Sequence, residues 1–190
     1  MSVASRLNPP NVLTLLRILA VPVLVLILLP PAGRGISFTR SLAAFLLFVA
    51  AAVTDLFDGY IARRYRMVTS LGKLLDPLAD KLLVCAAMVM LIPPGRVPAW
   101  MAVIVVAREI VVTALRGMAS TEGVVIAASP LGKGKTVLLN IGMAMLILHY
   151  PVFGLPVHDI GIGVLSIGLV LTAWSGLDYF FRFVGEIFKH

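Results

Sequence analysis

The sequence predicts an all-α, polytopic membrane protein with six transmembrane helices and both termini in the cytoplasm, and three observations carry that expectation. Of 190 residues, 60% are hydrophobic and 13% charged, with a mean hydropathy of +1.03, whereas soluble domains carry roughly 25% charged residues. The apolar residues fall in six stretches, each near the length of about 20 helical residues that crosses a hydrocarbon core. The Lys and Arg residues crowd to one side of those stretches. No water-soluble chain of this size hides so much apolar surface, which excludes a soluble enzyme and a disordered chain.

The first span, Asn11 to Leu29, ends at Pro30-Pro31. Leu29-Pro30-Pro31-Ala32-Gly33-Arg34 makes a poor small-residue cleavage site, so the stretch reads as an uncleaved span and not a signal peptide. The second span, Phe38 to Arg63, turns through Arg63 to Ser70 into the third, Leu71 to Ile92, which Pro93-Pro94-Gly95 stops. The fourth runs from Val97 to Ser120, and Thr121 to Pro130 separates it from the fifth, Leu131 to Tyr150. Pro151 to Pro156 leads into the sixth, Pro156 to Gly185. Helices are expected because lipid cannot satisfy open backbone groups. Every connection is short, so residues 1–190 read as a single membrane domain.

Thirteen Lys and Arg residues lie on the side of the Arg63 to Ser70 turn, and three, Arg34, Arg40 and Arg96, lie opposite. The positive-inside rule then puts both termini in the cytoplasm. Trp100 and Tyr150 read as interfacial anchors on the outer side. Gly161, Gly163 and Gly168 read as points of close helix approach. The net charge of +7 fits basic residues facing anionic headgroups, and without an aromatic-studded basic stretch it does not indicate nucleic acid. The single cysteine, Cys85, excludes an internal disulfide and reads as packing. His149, His158 and His190 fall in or beyond loops and are not expected to be ligands or bases.

Four of the nine carboxylates, Asp55, Asp58, Asp76 and Asp80, fall at the facing ends of the second and third spans. Each costs roughly 2.5–3.5 kcal/mol to insert in a membrane before like-charge repulsion is counted. Asp55 and Asp58 are spaced i, i+3 and Asp76 and Asp80 i, i+4, so each pair occupies one helix face. Antiparallel packing through the short turn makes the four converge. Oxygen donors with no Cys or His nearby select Mg²⁺, Mn²⁺ or Ca²⁺ over zinc. Gly59 and Gly72 leave room for a ligand, and Arg63 offers a planar fork to phosphate, which together point to phosphoryl-group chemistry. Two other roles remain open to such acids: surface ion pairs with Arg64, Arg66, Lys73 and Lys81, and a cation or proton pathway.

Asp55-Leu56-Phe57-Asp58-Gly59-Tyr60-Ile61-Ala62-Arg63, followed after eight residues by Gly72-Lys73-Leu74-Leu75-Asp76-Pro77-Leu78-Ala79-Asp80, resembles the signature D-x-x-D-G-x-x-A-R-x8-G-x3-D-x3-D of the CDP-alcohol phosphotransferase family at every fixed position. Asn11-Val12-Leu13-Thr14-Leu15-Leu16-Arg17, Ala107-Arg108-Glu109-Ile110 with Leu115-Arg116, and Gly132-Lys133-Gly134-Lys135-Thr136 are similar to segments of its bacterial branch that uses sn-glycerol 3-phosphate. The chain departs from that branch at Asn140, where Gln is expected, and at Gly134 between the lysines.

The resemblance implies a six-helix enzyme of the bacterial cytoplasmic membrane, its active site facing the cytoplasm, that displaces CMP from CDP-diacylglycerol with sn-glycerol 3-phosphate. It implies two divalent ions, Mg²⁺ or Mn²⁺, held by Asp55, Asp58 and Asp76 with Asp80 also near one of them, and Asp80 as general base. Gly59, Arg63 and Thr69 match positions near the CDP group, and Asn11 and Thr14 approach it from the first span. Arg108, Arg116, Lys133 and Lys135 are candidates for the acceptor phosphate, since Arg clamps phosphate bidentately and Lys adds a point charge; serving topology alone is the other role open to them. Pro77 suits either a kink that aims Asp80 or the start of a span. A homodimer is compatible with the chain. The same signature serves cardiolipin synthases, which use phosphatidylglycerol as acceptor, and outside the class a cation transporter is the alternative.

Overall fold

Proline pairs and glycine-rich turns divide the chain into helices that begin and end close to where the sequence places them. The computed structural model describes residues 9–30, 35–65, 70–121 and 131–187. Among these residues six helices follow in order: α1 (Pro9–Leu28), α2 (Phe38–Tyr65), α3 (Ser70–Met90), α4 (Ala99–Thr121), α5 (Leu131–Leu148) and α6 (Val157–Ile187). Among the described residues the only β-type pairing is the isolated bridge of Val152 with Leu155. Among those residues, too, α6 alone is long and apolar enough over Val157–Gly185 to cross a membrane; Thr14–Leu28, Phe38–Thr54, Lys81–Met90 and Gly134–Leu148 are shorter apolar segments.

α1 packs on α2 and α3, α2 on α5, α5 on α6, α6 on α4, and α4 on α3, closing a ring of helices. Alternating chain direction gathers the α1–α2, α3–α4 and α5–α6 loops at one end and the signature segments at the other. Leu24, Phe48, Leu83, Val105, Met143 and Leu165 join one core drawn from all six helices. A second cluster, Val112, Leu115, Ala119, Tyr179 and Phe183, joins α4 to α6 toward the signature end.

Lipid tails are as apolar as Leu, so helices in a membrane associate through close packing more than through water exclusion. The α5–α6 seam shows the consequence. A Cβ on Gly142 would lie 2.8 Å from the Leu165 backbone nitrogen, and one on Gly168 would lie 3.2 Å from that of Leu139. Gly161 is similarly crowded by Leu146, but Gly163 faces open space, so it is not the approach point the sequence suggested. Gly142→Ala is expected to cost about 1–3 kcal/mol by forcing the helices apart, whereas Gly163→Ala is neutral. Thermal unfolding of both variants in detergent checks this.

At the loop end α3 closes with Gly95 in the left-handed region (φ 72). The Gly95 N–H donates to the Ile92 carbonyl at 2.9 Å and the Arg96 N–H to the Leu91 carbonyl at 3.0 Å, the paired bonds of a Schellman cap. That cap throws Arg96, 2% exposed, into the middle of the loops. Its Nη1 donates to the Ile147 carbonyl at 2.6 Å; its Nη2 donates to Ser41 Oγ at 2.8 Å and to the Ile36 carbonyl at 3.3 Å. Tyr150 lies under the guanidinium and donates its hydroxyl to the Ile36 carbonyl at 2.7 Å. Arg96 thus ties all three loops together. Tyr150 belongs to this clasp and is not a free interfacial anchor, whereas Trp100 is exposed as expected.

His149 follows α5 with φ 64, and its Nδ1 lies 3.1 Å from Nδ1 of His158. Burial, then the Arg96 charge, then His158 lower its pKa below the ordinary histidine value. The unfolded chain therefore binds this proton at higher pH than the folded one, so the stability is present above about pH 6.5 and is lost as pH falls below it. The melting temperature of the wild type should fall more between pH 7.5 and 5.5 than that of His149→Asn, which tolerates the positive φ. Equal slopes would remove His149 from that account.

Candidate active site

The end of the ring opposite the Arg96 clasp collects the chemically capable residues. α2 carries Asp55, Asp58, Gly59 and Arg63 on its last turns; α3 carries Asp76 and Asp80 one turn apart before its apolar part begins. α3 starts at Ser70, so Pro77 lies within the helix and does not start it. Thr69 lies outside the described residues. The side chains of Asn11, Asp55, Asp58, Gly59, Arg63, Asp76, Asp80 and Lys133 lie outside the described ones, and their helices alone locate them.

α1 reaches the same end with Thr14 and Arg17 one turn apart, both buried. Arg17 lines a cleft of about 170 Å³ between α1 and α2, with Leu16, Ala20, Leu47, Ala50, Ala51 and Thr54. Thr54 turns its hydroxyl back to the Ala50 carbonyl at 2.6 Å. Because Thr54 directly precedes Asp55, the cleft is an apolar approach, floored by a cation, to the start of the signature. Arg17 stands in the N-terminal segment that the sequence singles out, without an assigned role there.

α3 is joined to α4 immediately after Asp80. Lys81 Nζ donates to Thr113 Oγ1, and Thr113 donates to the Glu109 carbonyl one turn earlier at 2.6 Å. From sequence, Lys81 reads only as a surface charge. Its function as a strut is invisible there, because Thr113 is one of many hydroxyls in apolar helices.

Glu109 and its neighbour Arg108 form the charged centre of α4. Arg108 Nη1 donates to Glu109 Oε1 at 2.6 Å, and both side chains are largely buried. Arg108 Nη2 reaches Ser175 Oγ of α6 at 3.4 Å. Gly176 permits this approach: a Cβ there would lie 3.2 Å from Arg108 Cγ. Burying an arginine is tolerable only with such partners. The remaining acceptor candidates separate. Lys135 is 6% exposed on α5, while Arg116 is exposed and stacks on the Tyr179 ring, its Cζ 5.6 Å from the centroid. Asp178 pairs with Arg182 on the outside of α6 at 3.0 Å and is not joined to this group.

Residues 7–174 match the CDP-alcohol phosphatidyltransferase family. The chain is 40% identical over 180 residues to the CDP-diacylglycerol--glycerol-3-phosphate 3-phosphatidyltransferase of Bacillus subtilis (strain 168), covering 91% of this chain and 93% of that protein. A protein of the same name from Rickettsia typhi is 41% identical over 174 residues, covering 91% and 95%. The one from Shigella flexneri serotype 5b is 38% identical over 177 residues, covering 90% and 92%.

Proposed function

The chain belongs to the CDP-alcohol phosphatidyltransferase family, and from that premise we propose that it transfers the phosphatidyl group of CDP-diacylglycerol to sn-glycerol 3-phosphate, giving phosphatidylglycerophosphate and CMP in phospholipid biosynthesis. The observation that carries this reading is the Lys81–Thr113 strut, which joins the acid-bearing helix α3 to α4 next to a largely buried arginine whose orientation Glu109 and Ser175 fix. Phosphoryl transfer needs those two capacities side by side: a carboxylate cluster and a phosphate clamp.

Asp55, Asp58, Asp76 and Asp80 are an all-oxygen donor set, which fits two ions of Mg²⁺ or Mn²⁺. Such ions, when bound, neutralise the diphosphate charge that otherwise repels a nucleophile. The remaining work falls to the chain. Asn11, Thr14, Gly59, Arg63 and Thr69 hold the CDP group. Arg108, Arg116, Lys133 and Lys135 hold the acceptor phosphate. Asp80 takes the proton of the acceptor's primary hydroxyl as its oxygen bonds to the phosphatidyl phosphorus, and the bond from that phosphorus to CMP breaks.

Residues 1–190 act as one membrane domain of six spans in the bacterial inner membrane, with both termini and the active site on the cytoplasmic side. The thirteen-to-three division of Lys and Arg supports that orientation. CMP release by purified enzyme in detergent, given CDP-diacylglycerol and Mg²⁺ or Mn²⁺, tests the reading. Release only with glycerol 3-phosphate, abolished by EDTA, is expected. Release with phosphatidylglycerol instead would keep the chemistry and change the acceptor to that of a cardiolipin synthase. No release with any acceptor or metal would favour ion transport, to be measured as flux in liposomes.

A further inference from the structure

We propose that Thr172 and Ser175 of α6 complete the pocket for the acceptor's phosphate, binding its oxygens directly, so that α6 is a specificity-determining wall and not only a packing partner. This rests on the acceptor being a phosphate ester, as above. The first observation is a pair of unspent donors. Thr172 is 0% exposed, yet its Oγ1 has no hydrogen-bond partner among the described residues, and Arg108 Nε is buried in the same state. Buried donors left unmade are costly, and these two lie about one helical turn apart where α4 crosses α6, so a ligand with acceptor oxygens would satisfy both.

The second observation is their common location. Thr172, Ser175 and Gly176 share one stripe of α6 at i, i+3 and i+4. Ser175 Oγ accepts from Arg108 Nη2 at 3.4 Å, which leaves its own O–H to be donated. The position a Gly176 Cβ would take is 3.7 Å from Arg108 Nε, which places that unspent N–H against the stripe one turn from Thr172. Glu109 occupies Nη1 and fixes the fork, so Nε is the edge left for an anion.

The third is the cation opposite. α5 and α6 run antiparallel, with Gly142 against Leu165 and Leu139 against Gly168. One further turn of that register sets the buried Lys135 level with Thr172. α4, α5 and α6 therefore present a guanidinium edge, an ammonium stem and two hydroxyls to one place. A tetrahedral phosphate monoester, with more acceptor oxygens than a diester, uses all of them. A phosphodiester acceptor cannot.

The test pairs Thr172→Val and Ser175→Ala with Thr172→Ser. Equilibrium binding of glycerol 3-phosphate and of inorganic phosphate to the detergent-solubilised protein, without CDP-lipid, should weaken about tenfold in the first two and be retained in Thr172→Ser. In turnover, KM for glycerol 3-phosphate should rise by a similar factor, with kcat and KM for CDP-diacylglycerol within about twofold of wild type. Thr172→Val should melt no lower than wild type, since it removes an unsatisfied hydroxyl without changing shape. Unchanged anion binding in Thr172→Val, or equal losses for both substrates, would overturn the proposal. Should the wild type turn over only with another acceptor, the functional reading fails while the binding comparison still decides this one.

Discussion

Replacing Asp80 by Asn is expected to lower kcat for CMP release by about 10²- to 10⁴-fold, the span over which a positioned base contributes. The substitution keeps the shape of the side chain and removes its capacity to accept the acceptor's proton. Asp80 stands one turn beyond Asp76 on α3, and the next residue, Lys81, is anchored across to Thr113 of α4. The backbone at this level is therefore held by a neighbouring helix whatever the side chain at 80. CDP-diacylglycerol affinity should fall by no more than a few-fold, because Asp55, Asp58 and Asp76 remain. Single-turnover CMP release measured beside equilibrium CDP-lipid binding separates the two quantities. Turnover near the wild-type value would end the role of Asp80 as base, and loss of binding and turnover together would make it chiefly an ion ligand.

The largest effect on stability is expected from Arg96→Ala. One guanidinium serves the Ile147 carbonyl, the Ile36 carbonyl and Ser41 Oγ, and its burial leaves water little access to replace it. Hydrogen bonds to a charged donor contribute about 1.5–3 kcal/mol each, and stranding buried partners places the total at roughly 3–5 kcal/mol. At about 2–4 °C per kcal/mol for chains of this size, the melting temperature in detergent should fall on the order of 10 °C. Arg96→Lys should recover only part of that, since an ammonium cannot span three acceptors with a planar fork. Below the new transition, KM for both substrates should match wild type, because the clasp sits at the far end of the ring from Asp80. A variant that melts normally but loses activity would refute this assignment.

Helix boundaries were legible because proline and glycine punctuate them: Pro30, Pro93 to Gly95, and Pro151 to Pro156 each stop or precede a helix within two residues of the expected place. The acid motif was legible because its spacing is local, fixed by helical periodicity within α2 and within α3. What the sequence hid is relational. Arg96 counted there as one of three outer charges, and nothing in Gly95-Arg96-Val97 reveals that a Schellman cap turns it inward. Ser175 resembles any hydroxyl in an apolar helix, and only the approach of α4 over Gly176 gives it a charged neighbour. Gly142 escaped notice among sixteen glycines, while Gly163, which drew it, faces open space. Contacts between helices distant in sequence, and not local pattern, decide each of these.

The extra length of α2 and α6 has a kinetic consequence. At 1.5 Å per residue, the 31 residues of α6 reach about 46 Å and the 28 of α2 about 42 Å, beyond a hydrocarbon layer of about 30 Å. With the six-span placement proposed above, the signature turns of α2 stand at headgroup height, where one reactant arrives by lateral diffusion in two dimensions and the other by free diffusion in three. Turnover should then follow the mole fraction of CDP-diacylglycerol in the micelle or vesicle and fall on dilution with inert detergent at constant bulk concentration. It should follow the aqueous concentration of the acceptor alone. The lipid product stays in the plane while CMP escapes to water, so the two products never compete for the same exit.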